Sequence, residues 1–178
     1  NEKVLNYPDI FVVGTPYSLE AGVIKGMPSK WYKQKLRVVF ASPGYRHIEQ
    51  IEPKEHDGFN IGYIGTVDYM KMHPDYLKMN LAANIKGAKF IVCGGPSEMG
   101  LRKEVHALNA DKIFDIRGQV SDISSVLSIL DVFGYPLAPE HYGASEVALI
   151  EAQVAGVVPV VLDNGCERYI VEDGQTGI

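Results

Sequence analysis

Residues 139–178 read PEHYGASEVALIEAQVAGVVPVVLDNGCERYIVEDGQTGI, a turn-rich loop, a helix, a strand and a second turn in close succession. Val147, Ile150 and Val154 recur at the spacing of one face of an amphipathic helix, and Glu151 falls inside their stripe. This predicts an inward-facing carboxylate. An ionised carboxylate in a core or cleft costs about several kcal/mol unless donors meet it, so a ligand hydroxyl, a backbone amide or an arginine is expected beside Glu151. Upstream, Gly143 and Ser145 open the helix, and the unpaired N–H groups around Ala144 to Val147 make its positive end suited to an anion. Downstream, Ala155-Gly156 ends the helix, VVPVVL reads as a short buried strand, and NGCERYIVEDGQTG reads as another short helix closed by Gly174.

Three further clusters have the same strand–loop–helix form. FNIGYIG ends at Gly65, and after a turn-rich stretch His73-Pro74-Asp75 starts a helix that holds Pro in its first turn. KFIVCGGPSEMG runs from an apolar strand into Gly94-Gly95-Pro96 and a helix from about Ser97; the glycines permit close backbone approach. KIFDIRGQVSDIS is a strand from Lys112, with Gly118-Gln119-Val120 leading into a helix start at Ser121-Asp122. Together with FVVG, LRVVFA, DVFGYPL and VVPVVL, these apolar runs alternate with helical segments. That pattern indicates an α/β fold, a doubly wound, Rossmann-like parallel sheet with helices on both sides. Ligands of such sheets sit outside the carboxyl ends of the strands, where the loops 65–71, 94–96, 118–120 and 139–145 would converge. An anion at the helix start and hydroxyls at Glu151 would together suit a nucleotide sugar.

The run from Pro139 resembles the C-terminal signature of the retaining GT-B glycosyltransferases, the large group that includes bacterial polysaccharide and mannosyl transferases. The matching residues are Glu151-Ala152, Gly156, Pro159-Val160-Val161, Gly165, Glu167 and Asp173-Gly174-Gln175-Thr176-Gly177. The resemblance implies a lobe that binds a nucleotide-diphosphate sugar of the UDP, GDP or ADP type, with transfer to a carbohydrate, lipid or other alcohol. It assigns Lys71 and the amides of Ala144, Ser145 and Val147 to the diphosphate, and Glu151 to the ribose. By the same resemblance Gly65 and Thr66 approach the phosphates, Gly94 and Gly95 the nucleotide, and Gly118 and Val120 border the base. Two positions depart from the family pattern. Gly143 stands where the family has its first Glu, so Glu146 or Glu140 would replace that group and orient the donor sugar, and His141 would contact the leaving group. Thr66 stands where the family has an Arg, five residues before Lys71, which leaves one cation and no bidentate fork. A binding module without catalysis and a nucleotide-sugar epimerase are the alternatives that these departures leave open.

Composition bounds the remaining choices. A 178-residue chain with 46% hydrophobic content can bury a sizeable core, and a net charge of -5 with mixed signs argues against nucleic acid and against a polybasic membrane patch. Cys93 and Cys166 lack metal-like spacing, so no metal is expected, and the cysteine usage points to a reducing cytosolic setting. The chain starts at Asn1 rather than Met and stops just after Thr176-Gly177, which reads as an excised domain. Residues 1–41 then form the end of an N-terminal, acceptor-binding lobe, 42–58 a charged interdomain linker, and 59–178 the donor-binding lobe, truncated at its C-terminus. Contact with the inner membrane face would come through the acceptor lobe.

Overall fold

The computed structural model describes residues 7–20, 25, 34–41, 44–143 and 145–178. Two parallel sheets are present among them. The smaller pairs β1 (Phe11–Val13) with β2 (Leu36–Val38), and a short helix, α1 (Tyr17–Glu20), follows β1. The larger has five strands: β3 (Phe59–Ile64), β4 (Ala88–Cys93), β5 (Phe114–Gly118), β6 (Val132–Tyr135) and β7 (Val158–Val161), in the order β5-β4-β3-β6-β7. All their pairings are parallel, and helices α2 (Tyr76–Ala82), α3 (Glu98–Ala107), α4 (Ile123–Leu127) and α5 (Val147–Val154) connect them. The expected doubly wound α/β architecture is what the chain forms.

The physics of the central strands is visible in β4. Phe90 and Val92 belong to the main core, whereas Ile91 and Cys93 pack with Val126 in a second cluster. Successive side chains of a strand point to opposite faces, so the part buried on both sides, Phe90–Cys93, is apolar at every position. The main core is rich in aromatics, with Phe90 stacked on Phe114 at 5.0 Å and Tyr63 on Tyr135 at 5.1 Å between centroids. Burial of Ile48, fully enclosed, brings the 44–51 segment of the expected linker into this core, and Ser124 Oγ donates to the His47 carbonyl at 2.9 Å.

Several sequence expectations shift. VVPVVL is not a buried strand: β7 is the sheet edge, where Val158 is 47% and Val160 38% exposed while Pro159 is enclosed. Proline, which lacks a ladder donor, is tolerated at such an edge. The strand expected from Lys112 begins at Phe114. His73-Pro74 precede the helix rather than start it; Asp75 is the N-cap and α2 begins at Tyr76. The last segment holds only a single 3-10 turn, Glu167–Tyr169, with Gly174 in a separate turn at φ 71°.

The strand ends are locked to one another beyond the ladder. Gly65 N–H donates to Cys93 O at 3.0 Å, Gly94 N–H to Gly118 O at 2.7 Å and Val67 N–H to Gly95 O at 2.8 Å. Gly94 permits this approach. At φ 134° it occupies backbone space that L side chains rarely adopt, and a Cβ there would lie 1.7 Å from the Gly65 carbonyl oxygen. Gly94→Ala should therefore destabilise the fold by about 3 kcal/mol, combining backbone strain and overpacking. Thermal denaturation would register this as a Tm fall of about 6–12 °C. Gly100→Ala, where a Cβ meets nothing within 4 Å, should be neutral or stabilising in the same assay. An equal fall in both variants would refute the close-approach account.

Candidate functional site

The loop after β3 is tied to the loop after β6 by backbone hydrogen bonds. His73 N–H donates to Pro136 O at 3.0 Å and Ala138 N–H to Lys71 O at 2.8 Å, while Met72 and Leu137, both fully buried, form an antiparallel bridge. An Asx turn at Asp68, whose Oδ1 accepts from Met70 N–H at 2.7 Å, shapes the approach. This clamp carries Lys71 beneath the 139–146 loop.

There Lys71 Nζ lies 2.6 Å from Glu146 Oε1, with only 10% and 4% of the two side chains exposed. Tyr135, at the end of β6, donates its hydroxyl to Glu146 Oε2 at 2.9 Å, and the Cys166 thiol lies 3.7 Å from Oε1. Burial, followed by the neighbouring Glu146 and Glu167 charges, pushes the Cys166 thiol well above its ordinary value, so it is a weak donor and not a nucleophile. Burial, with the Glu146 charge adding to it, likewise raises the Tyr135 phenol and keeps it protonated for its bond to Glu146. Tyr142, 63% exposed, lies over Lys71 at 5.3 Å from ammonium to ring centroid.

Gly143 explains why Glu146 is here. A Cβ at Gly143 would fall 1.8 Å from Glu146 Oε1, 2.6 Å from Lys71 Nζ and 2.9 Å from His141 Nδ1. The absence of a side chain at Gly143 makes the space in which the Glu146 carboxylate meets Lys71. Glu140 is exposed and takes no part, so of the two carboxylates considered from sequence, Glu146 is the one brought to the cation. Glu146 is also the N-cap residue of α5, and its side chain makes no capping bond because it is turned to Lys71. The helix opens one residue later than Ser145 suggested.

Glu151 sits differently from its expectation. The buried stripe of α5 is Leu149 and Ala152, while Val147, Ile150, Glu151 and Val154 are half-buried on its flanks. A parallel sheet takes the small and branched pair at i and i+3, which the Val-Ile-Val count overlooked. No side chain among the described residues hydrogen-bonds to the Glu151 carboxylate. Burial raises its pKa above the ordinary 4.5, offset in part by His47.

The other anticipated residues line the same edge. Gly65 and Thr66 follow β3, Gly94 and Gly95 follow β4, and Gly118 is the last residue of β5, with the Thr66 carbonyl accepting from Tyr63 OH at 2.8 Å. Val120 packs against the smaller core cluster, and Arg117 pairs with Asp115 on its own strand at 2.8 Å rather than reaching into the cleft. Ala144 lies outside the described residues. Among the described residues, two of the buried polar atoms that make no hydrogen bond lie at this edge, Ser145 Oγ in the helix-opening loop and Glu98 Oε2 beside Gly95.

His141 was expected to face a leaving group, but its side chain is wholly enclosed. Its Nδ1 accepts from Gly143 N–H at 3.0 Å and its Nε2 faces Glu167 Oε2 at 3.1 Å, which leaves no ring nitrogen free for a ligand. His141, Cys166 and Glu167 bring their ligand atoms within 4.8 Å of one another, but with both ring nitrogens taken the trio as it stands offers an ion no imidazole lone pair. Among the described residues no helix is long and apolar enough to cross a membrane.

Comparison with known proteins places the fold and the family. A 2-deoxystreptamine N-acetyl-D-glucosaminyltransferase of Niallia circulans is 31% identical over 121 residues, which is 65% of this chain and 30% of that enzyme. The fold is similar to that of Anabaena HepE in complex with UDP and glucose, with a TM-score of 0.77 at 17% identity, over 98% of this chain and 50% of that one. It is also similar to the pneumococcal O-GlcNAc transferase GtfA in complex with UDP and GlcNAc, with a TM-score of 0.71 at 20% identity, over 98% of this chain and 34% of that one. The chain therefore spans about half of HepE and under a third of the N. circulans enzyme. Its five-stranded sheet is an α/β fold similar to the lobes of GT-B glycosyltransferases. The sequence profile of the glycosyl transferases group 1 matches residues 45–178, and the chain belongs to that family.

Proposed function

We propose that residues 59–178 are the nucleotide-sugar-binding lobe of a GT-B glycosyltransferase that transfers its sugar, with retention, to a carbohydrate, lipid or other alcohol. On this reading residues 1–41 belong to the acceptor-binding lobe and residues near 42–58 join the two, with any membrane contact made through the acceptor side at the cytoplasmic face. The observation that carries the proposal is the Lys71–Glu146 pair at the carboxyl edge of the sheet, in a chain of this family. Lys71 retains N–H donors beyond the one given to Glu146, and these, with the amides at the start of α5, would neutralise a diphosphate as charge grows on the leaving group. Glu146 would orient both Lys71 and the donor sugar. Glu151 would accept from the ribose hydroxyls. UDP is the first donor base to test, because UDP is the nucleotide in the HepE and GtfA complexes.

The test is a calorimetric titration of the chain with UDP, GDP and ADP, repeated with Lys71→Ala. One nucleoside diphosphate should bind, and the variant should lose affinity for it far more than for the parent nucleoside; equal losses, or no binding by any nucleotide, would overturn the reading.

The same titration across pH tests Glu151. Ribose hydroxyls would bond its ionised form, whereas burial holds its pKa above 4.5 in the free chain. Affinity should then be complete above that raised pKa and decline as pH falls through it. Stability has the opposite sign. A carboxyl whose folded pKa is raised binds more protons folded than unfolded, so its contribution falls as pH rises from about the unfolded value through the folded one. Affinity independent of pH across this window, or unchanged in Glu151→Gln, would remove Glu151 from the ribose.

A further inference from the structure

The buried Glu167 and His141 lie beside the proposed diphosphate loop without facing it. Both side chains are 0% exposed, and they are joined at 3.1 Å between His141 Nε2 and Glu167 Oε2. On its other side the ring accepts, at Nδ1, the backbone N–H of Gly143 at 3.0 Å. A backbone amide can only donate, so Nδ1 must carry a lone pair and the ring proton must sit on Nε2, directed at the carboxylate. A proton on Nδ1 would instead oppose two donors and release Gly143.

The environment is built around this arrangement. Gly165, at φ 48°, turns the chain so that Glu167 reaches the ring; a Cβ there would lie 2.2 Å from His141 Nε2 and 2.7 Å from Glu167 Oε2. Tyr17 stacks on the imidazole, with centroids 6.2 Å apart and planes 26° apart. Among the described residues Glu167 Oε1 is buried without a hydrogen-bond partner. A carboxylate kept fully enclosed with one oxygen unsatisfied is a poor way to stabilise a core, where an apolar side chain of similar size would do as well or better. Its presence is explained if its Oε2 has a task as the acceptor for His141.

We infer that Glu167 is a positioning residue for donor binding: by holding His141 in the Nε2–H tautomer, it makes Nδ1 the acceptor that fixes Gly143, and with it the short loop from which Glu146 meets Lys71. The relay runs Glu167 carboxylate, imidazole, Gly143 amide. Because a Gly143 Cβ would touch Glu146, Lys71 and His141 alike, a small displacement of Gly143 changes the placement of the cation and its partner together. This inference rests on the proposed nucleotide-sugar site, and it adds Glu167 as a residue that acts on the ligand through another side chain.

Three variants and one spectroscopic measurement test it, using nitrogen-15 NMR of the imidazole and titration with UDP. In the wild type the His141 signals should report a single tautomer protonated at Nε2. Glu167→Gln retains an acceptor oxygen, so the tautomer should persist and UDP affinity should stay within about threefold. Glu167→Leu removes the acceptor, and affinity should drop about tenfold or more, with kcat/KM of the full-length protein falling in parallel, as for residues that orient a ligand from behind. His141→Phe keeps the stack on Tyr17 but removes the acceptor for Gly143, and should match Glu167→Leu.

A wild-type His141 protonated at Nδ1 or at both nitrogens would overturn the inference even if the Leu variant failed to fold. So would a folded Glu167→Leu or His141→Phe protein with wild-type affinity, or a Gln variant that changes tautomer without changing affinity. Failure of the wild type to bind any nucleoside diphosphate would sink the functional reading and this ligand role with it, while the NMR result would still show whether the relay exists.

Discussion

Glu146→Ala should lower stability by about 3–5 kcal/mol, the usual cost of removing one partner from a buried ion pair. The pair is 2.6 Å long with both side chains almost wholly enclosed, and the loss would strand the Lys71 ammonium, the Tyr135 hydroxyl and the Cys166 thiol at once. Urea denaturation gives the measurement. A double variant, Lys71→Met with Glu146→Leu, should recover much of that stability, since an apolar pair of similar volume needs no charge compensation. Its nucleoside diphosphate affinity should nevertheless remain lost. This separation is the point of the experiment: stability that returns while binding does not would mark the pair as retained for the ligand. If the double variant binds UDP like the wild type, the pair is structural only. If Glu146→Ala costs less than about 1 kcal/mol, the ammonium is being solvated by something other than Glu146.

Gly143→Ala should be nearly as damaging to binding, by a different route. The glycine has no positive φ, so alanine meets no backbone strain there; the conflict lies with three side-chain ends at 1.8, 2.6 and 2.9 Å. Exposed side chains would simply move aside. Here Glu146, Lys71 and His141 are each pinned by a partner, so any shift breaks a hydrogen bond or the ion pair. Overpacking of this sort costs about 1–3 kcal/mol, and because 1.4 kcal/mol is tenfold in affinity, UDP binding should weaken about tenfold or more. The exchange Gly143→Glu with Glu146→Gly returns a carboxylate to the neighbourhood of Lys71 and should bind better than Gly143→Glu alone. A folded Gly143→Ala protein with unchanged affinity would show that the cluster can relax without consequence and would separate it from the ligand.

The fold was largely legible in advance because parallel sheets leave a plain record. Strands buried on both faces are apolar nearly throughout: FIVC and VFGY are, and FNIGYI departs from it only at Asn60, whose side-chain amide donates to the Ile129 carbonyl. The loops that follow them were equally readable, since glycines at strand ends mark turns. Legibility failed where burial depends on what packs from outside. VVPVVL looks like the inner strands, but its place at the edge is decided by sheet order, to which local composition is blind. For α5 the Val147-Ile150-Val154 count gave the right helix and the wrong face, because the small Ala152 contributes little to an apolar pattern although it is fully buried. Ile48 was hidden inside a charged, proline-bearing stretch whose average composition reads as linker.

The candidate site divides in the same way. Lys71, Glu146, His141 and Gly143 were all visible as residue types at suggestive spacings, yet the sequence reading turned His141 toward a leaving group and left Glu140 open beside Glu146. Glu167 entered only as a matched motif position, and Tyr135 and Tyr142 had no signal at all. An ion pair 75 residues apart in sequence, and a relay joining residues 141, 143 and 167, depend on loops that are brought together by the order of the strands.

Sequence by itself therefore determined the class of the fold, the edge on which the loops after the strands gather and the family, because these follow from periodicity, glycine placement and local motifs. Only the tertiary structure decided which carboxylate meets Lys71, which way His141 faces and what the empty space at Gly143 is for. The physical reason is that burial and pairing are properties of neighbours in space: a carboxylate, a lysine and an imidazole carry the same chemistry wherever they occur in a chain, and the contacts that enclose them determine what each can do.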